Sequence, residues 1–218
     1  FHYLEGFIFR VRFCSQRYEA LNGGCALLKQ LLYIHGFNSG SQSFKAEQLR
    51  LWVASQNYPV ELITPTLPDL PTDAIQCLES LLPFEQKPDV GIIGSSLGGY
   101  YAAYLSERYG CKAVLINPAM KPYNLLQQYR GEITNPQTGR TYHVGQRHLE
   151  QLKSIDVPVM SKPKNILLLV ETGAETLDYS ESVEKLQGAN ARIIDGGSHI
   201  FEHFNVMIPD MMQFLFPR

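Results

Sequence analysis

Val90 to Leu105 reads VGIIGSSLGGYYAAYL, and three patterns follow one another in it. An apolar run suits a buried strand, Gly94-Ser95-Ser96-Leu97-Gly98 suits a tight turn, and the rest suits a helix that Gly110 can end. The pentapeptide matches G-x-S-x-G. In strand–turn–helix context that motif holds a serine clear of the sheet at a helix N-terminus, where the dipole favours developing negative charge. A phosphate-binding Walker loop is excluded, because no G-K-[ST] follows.

Outward from this stretch, similar strand-like runs recur. They are LLYIHGF (Leu31 to Phe37), VELITPTL (Val60 to Leu67), AVLINP (Ala113 to Pro118), NILLLVETG (Asn165 to Gly173) and ARIIDGG (Ala191 to Gly197). Continuous apolar runs, as opposed to apolar/polar alternation, indicate strands covered on both faces. Helical spacing fills the intervals. Phe44, Leu49, Trp52 and Val53 form one stripe, Thr72 can cap a second helix, and Asp178 with Glu181 three residues on makes a capping-box pattern. The alternation predicts an α/β fold with a mostly parallel, doubly wound sheet. A single domain is expected over 31–218. The proline-rich stretch at about 119–162 is too long for a simple connection and reads as a cap over the sheet, with one helix near Gln146 to Ile155. Residues 1–30 stay unassigned; FIFRVRF alternates like an edge strand, but no partner is evident.

The 218 residues are 44% hydrophobic and 18% charged, with a formal net charge of -2. This is a globular balance without the basic excess of an electrostatic nucleic-acid binder, and no apolar run is long enough for a membrane span. Cys14, Cys25, Cys77 and Cys111 lie far apart with no metal-ligand spacing, so they read as packing thiols in a reducing, cytoplasmic setting. No metal or cofactor is implied.

Acyl transfer needs a base, an acid to orient it and two amides for the oxyanion. Ser96 is the candidate nucleophile. Of six histidines, His199 follows the last strand and a Gly-Gly turn, the best address for the base, whereas His35 suits a structural role in its loop. The amides of Leu97 and Phe37 are the oxyanion candidates. The acid should follow NILLLVETG, where Glu175 and Asp178 both stand; Asp178 is narrowly preferred, with helix capping as its competing role. Met120, Tyr123 and Tyr129 would either line an acyl pocket or pack against the sheet.

LLYIHGFNS, GSSLGGYYAAYLS, INPAMKPYNLL, NPQTGRTY, RHLEQLK, ETLDY and GGSHIF together resemble the YqiA-like esterases of bacteria, from about Leu31 to Leu215. The resemblance implies an α/β-hydrolase fold, nucleophile Ser96, base His199 and short-chain ester hydrolysis. It also exposes a departure: the family's T-G-D-E-x-L-D-Y carries the triad acid directly after the glycine, and this chain has Ala174 there. Either Glu175 or Asp178 substitutes, or the triad is reduced to a dyad. The expected partner is therefore a small-molecule acyl ester. A thioesterase or other acyl hydrolase, or a catalytically weakened hydrolase-fold binding protein, are the alternatives.

Overall fold

The computed structural model describes residues 8–12 as backbone, and 29–82, 84 and 89–217 in full. Its main strands are β1 (Ile8–Arg12), β2 (Lys29–Ile34), β3 (Val60–Pro65), β4 (Val90–Ser95), β5 (Lys112–Ile116), β8 (Ile166–Glu171) and β9 (Asn190–Ile194). These seven form one sheet in the order β1-β3-β2-β4-β5-β8-β9. All pairs are parallel except β1, which joins β3 antiparallel at the edge. The part of FIFRVRF that is described is thus the edge strand its alternation suggested, with a partner some fifty positions downstream.

Adjacent residues of one strand feed opposite layers. Leu32 and Ile34 pack with Ile92, Leu115 and Leu168 against α2 (Pro71–Leu81) and α3 (Leu97–Tyr109). Leu31 and Tyr33 pack with Ile93 and Val114 against α1 (Phe44–Ser55) and α7 (Phe204–Leu215). This two-faced burial is why the strand sequences are apolar throughout. In α1 the buried stripe is Ala46, Leu49 and Val53, and Phe44 is 62% exposed. Phe44 lies five residues before Leu49, which turns it well off a face repeating every three to four residues. The second helix also starts differently from its expected cap: Pro71 opens α2 after Leu70, and the Thr72 amide donates to Gln151 Oε1 at 3.2 Å. Proline at the first helical position removes one of the unpaired first-turn amides, and Gln151 satisfies the next, in place of an N-cap side chain.

The excursion after β5 contains the helical turn α4 (Pro122–Leu125), the hairpin β6 (Gly131–Thr134) and β7 (Thr141–Val144), and α5 (Gln146–Ser154). The hairpin docks on the loops after β2 and β3: Asn135 Nδ2 donates to Ser39 O at 2.8 Å, and Arg140 pairs with Asp69 at 2.8 Å. The short helix α6 (Tyr179–Lys185) links β8 to β9. Among the described residues no helix is long and apolar enough to cross a membrane. Cys77 is a free thiol and Cys111 is buried; Cys14 and Cys25 fall outside the described residues, as does His2.

Candidate active site

Ser96 sits between β4 and α3 with φ 55° and ψ −118°, a strained conformation for a residue bearing a Cβ. The backbone around it enforces that geometry. Its amide donates to Ile116 O at 3.0 Å, and its carbonyl accepts from Gly99 at 3.0 Å and Ala119 at 3.1 Å. The two motif glycines do different work. A Cβ on Gly94 would lie 2.6 Å from the Gly98 carbonyl carbon, so Gly94 lets the helix cross its own strand. A Cβ on Gly98 would lie 2.6 Å from His35 O, so Gly98 lets the helix approach the end of β2. Ser96 and Leu97 are half-exposed, and Leu97 opens α3, where first-turn amides have no acceptor within the helix.

The loop after β2 lies against this turn. A Cβ on Gly36 would stand 3.2 Å from Ser96 Cβ, which places Gly36 beside the serine, one residue before Phe37. His35 holds the loop: its Nδ1–H donates to Gly36 O at 2.8 Å, and its Nε2 accepts from the Leu67 amide at 3.1 Å. Burial pushes its pKa down to about 4 against the pull of the Gly36 bond, so it is neutral and fully used in structure. Phe37 meets Tyr129 with ring centroids 5.4 Å apart. Of the other two pocket candidates, Met120 is buried in the core and Tyr123 turns its hydroxyl toward Asp156 at 3.5 Å.

His199 follows β9 on a turn in which Gly196 and Gly197 both have positive φ. Its ring Nδ1 is buried without a hydrogen-bond partner, and no hydrogen bond joins the ring to Ser96 Oγ among the described residues. Catalytic hydrogen bonds commonly tighten only when substrate binds. Burial lowers the pKa of His199 below the usual histidine value, the charge of Lys45 lowers it further, and Glu175 pulls it back up. The two candidate acids are placed differently. Asp178 caps α6, its carboxylate accepting from the Ser180 amide at 2.9 Å, and among the described residues no hydrogen bond joins it to His199. Glu175 reaches His199, but accepts from its backbone amide at 3.1 Å instead of from the ring. Ala174 is buried beside them.

Three residues that the sequence reading passed over converge here. Glu171 ends β8 fully buried, Asn117 follows β5 with φ 38°, and Lys45 on α1 lies within electrostatic reach of both Glu171 and His199. Burial lowers Lys45 to a pKa of about 8, with Glu171 opposing the shift. One signal was available: a carboxylate closing the run ILLLV is a buried charge, and such charges are nearly always paired. Among the described residues no cluster of His, Cys, Asp and Glu could hold a metal ion.

The model of the uncharacterised protein family UPF0227 matches residues 30–216. The chain belongs to UPF0227. The family includes the YqiA-like esterases, so the resemblance carried by the motifs is a family membership. Solved structures agree on architecture for this UPF0227 member. Mouse alpha/beta hydrolase domain-containing protein 10 is 13% identical, covering 94% of this chain and 93% of that one, with TM-score 0.66. A monoacylglycerol lipase from Paleococcus ferrophilus is 14% identical, covering 97% and 100%, with TM-score 0.65. The fluorophosphonate-binding serine hydrolase F of Staphylococcus aureus is 14% identical, covering 96% and 98%, with TM-score 0.62. At these identities the likeness is one of fold, and that fold is the α/β hydrolase.

Proposed function

We propose that this UPF0227 member is a serine carboxylesterase acting on short-chain acyl esters. The observation that carries the reading is the strained, backbone-pinned Ser96 at the N-terminus of α3. Ser96 Oγ attacks the ester carbonyl while His199 takes its proton, and the Leu97 and Phe37 amides receive the oxyanion. Collapse breaks the carbon–oxygen bond to the alcohol, which leaves with the proton from His199. Water then hydrolyses the acyl-enzyme by the same route in reverse. Glu175 is the carboxylate best placed to influence His199. The Phe37–Tyr129 pair bounds the acyl side with a shallow aromatic wall, which favours p-nitrophenyl acetate or butyrate over palmitate.

Two observations favour a second reading. The unpartnered Nδ1 of His199 and Ala174 at the family's acid position fit a hydrolase fold with weakened catalysis. A fluorophosphonate probe decides between them. The esterase reading expects covalent labelling of wild type and none of Ser96→Ala, with hydrolysis by that variant below about 1% of wild type. Absence of label on folded wild type, or retained activity in Ser96→Ala, overturns it.

A further inference from the structure

Glu171 receives four donors, all from the segment that follows β9. Its Oε2 accepts from the amides of Ser198 at 2.8 Å and Glu202 at 3.1 Å. Its Oε1 accepts from the His203 amide at 3.0 Å and from the His203 ring Nδ1–H at 2.7 Å. Asn117 grips the same segment from β5: its Nδ2 donates to Ser198 O at 3.0 Å and His199 O at 3.3 Å, while its Oδ1 accepts from the Glu171 amide at 3.0 Å. Gly197 completes the fit. It has φ +67°, and a Cβ there would lie 2.8 Å from Glu171 Cγ. Burial disfavours a charged Glu171, but the bonds from His203, Ser198 and Glu202 outweigh it and hold its pKa below the usual carboxylate value.

The segment is thus tied on both sides of His199 and at its own carbonyl, whereas the ring has no partner at Nδ1. We propose that Glu171 is a positioning residue for the reaction, locating His199 through this clamp on its backbone, where among the described residues no carboxylate bonds the imidazole. The inference rests on the serine-hydrolase reading above. A turn through two positive-φ glycines has little intrinsic stiffness, and a displacement of about 1 Å at a reacting group can cost on the order of a hundredfold in rate. Glu171 removes that freedom.

Glu171→Gln tests the clamp, because an amide NH₂ replaces one acceptor oxygen and faces two N–H donors. The expected result is a fall in kcat of about tenfold or more, KM within about twofold, and a matching fall in the rate of fluorophosphonate labelling. Adding Ala174→Asp supplies a carboxylate meant for the ring itself, so it should raise kcat by a larger factor in Glu171→Gln than in wild type. A merely structural Glu171 would lower activity only in proportion to the unfolded fraction and would show no such excess. Unchanged kcat in a folded Glu171→Gln overturns the proposal, as does a loss that follows the unfolded fraction with no larger gain from Ala174→Asp than wild type shows. If Glu171→Gln does not fold, His203→Ala, which removes one bond of the four, is judged by the same two criteria. Ser96→Ala run alongside separates the failures: activity in that variant refutes the serine reading, whereas an inactive Ser96→Ala with a fully active, folded Glu171→Gln refutes the clamp alone.

Discussion

Ala174→Asp should make the protein a faster enzyme. The base of an acyl transfer must hold its proton on Nδ1, so that Nε2 is free to accept from the serine, and a triad acid fixes that tautomer. In this structure Nδ1 of His199 is buried and unpartnered, while Glu175 is engaged with the backbone amide of the same residue. A buried donor left unsatisfied costs about 1–3 kcal/mol. If the substituted carboxylate recovers that amount in the transition state, at about 1.36 kcal/mol per tenfold, kcat rises by about 5- to 150-fold. The ceiling is the loss of about 10⁴ that follows removal of a triad acid, and Glu175 already offsets part of it. Initial rates on p-nitrophenyl butyrate, at matched folded fraction, give the number. The companion Glu175→Gln should lower kcat in wild type and lower it less in the Ala174→Asp background, because the two carboxylates then serve one imidazole. A folded Ala174→Asp with unchanged or reduced kcat refutes the reasoning. It would mean that the tautomer of His199 is not what limits the rate.

The pH profile carries a second expectation: His199 must be neutral to act, so the acid limb of kcat/KM should lie below the ordinary histidine value of 6.5. Lys45→Gln removes a cation that lowers His199, so the limb should move to higher pH; a limb above 6.5 in wild type, or one that does not move, contradicts the assignment. Gly98→Ala forces a Cβ to within 2.6 Å of His35 O, and overpacking of this kind typically costs about 1–3 kcal/mol. For a chain this size that is a Tm loss of about 2–4 °C per kcal/mol, together with a fall in kcat/KM of about a hundredfold as the elbow separates from β2; an unchanged Tm with activity within threefold would refute it. Asp178→Ala should lower Tm by a few degrees through loss of the α6 cap and leave kcat intact at full folding, whereas a kcat loss at unchanged Tm would return Asp178 to the catalytic candidates.

What the sequence made legible follows from how local each signal is. The elbow is encoded in five consecutive residues and the parallel strands in runs of apolar side chains, so Ser96, its strand and its helix could be placed without coordinates. Strand β1 could be suspected from alternation but not paired, since its antiparallel register with Val60–Pro65 is set far along the chain. The acid was hardest for the same reason. Glu175 and Asp178 both lie within seven residues of the end of β8, and the turn at Leu177, whose amide bonds Ala174 O, separates them, one toward His199 and the other to the cap of α6. Glu171 escaped notice because the end of an otherwise apolar strand reads as a boundary. Its four donors come from a segment some thirty residues later.

The geometry separates two tasks that a triad acid ordinarily performs together: placing the base and fixing its tautomer. Placement needs only that the backbone bearing His199 be rigid, and Glu171 with Asn117 supplies this from the ends of β8 and β5, both interior strands of the sheet. Tautomer control needs an acceptor on Nδ1 itself, where Ala174 offers none. If the tasks are independent, the rate effects of Glu171→Gln and Ala174→Asp multiply. If a ring-bound carboxylate can also restrain the loop, Ala174→Asp rescues Glu171→Gln by more than it accelerates wild type. Coupling is expected in that second sense, because residues 171 and 174 face one short segment and share His199 as their target, the circumstance in which mutational effects fail to add. Four rate measurements, on wild type, the two single variants and the double, return the coupling directly. Strict multiplicativity, with kcat still reduced in folded Glu171→Gln, would show instead that placement and tautomer control are independent.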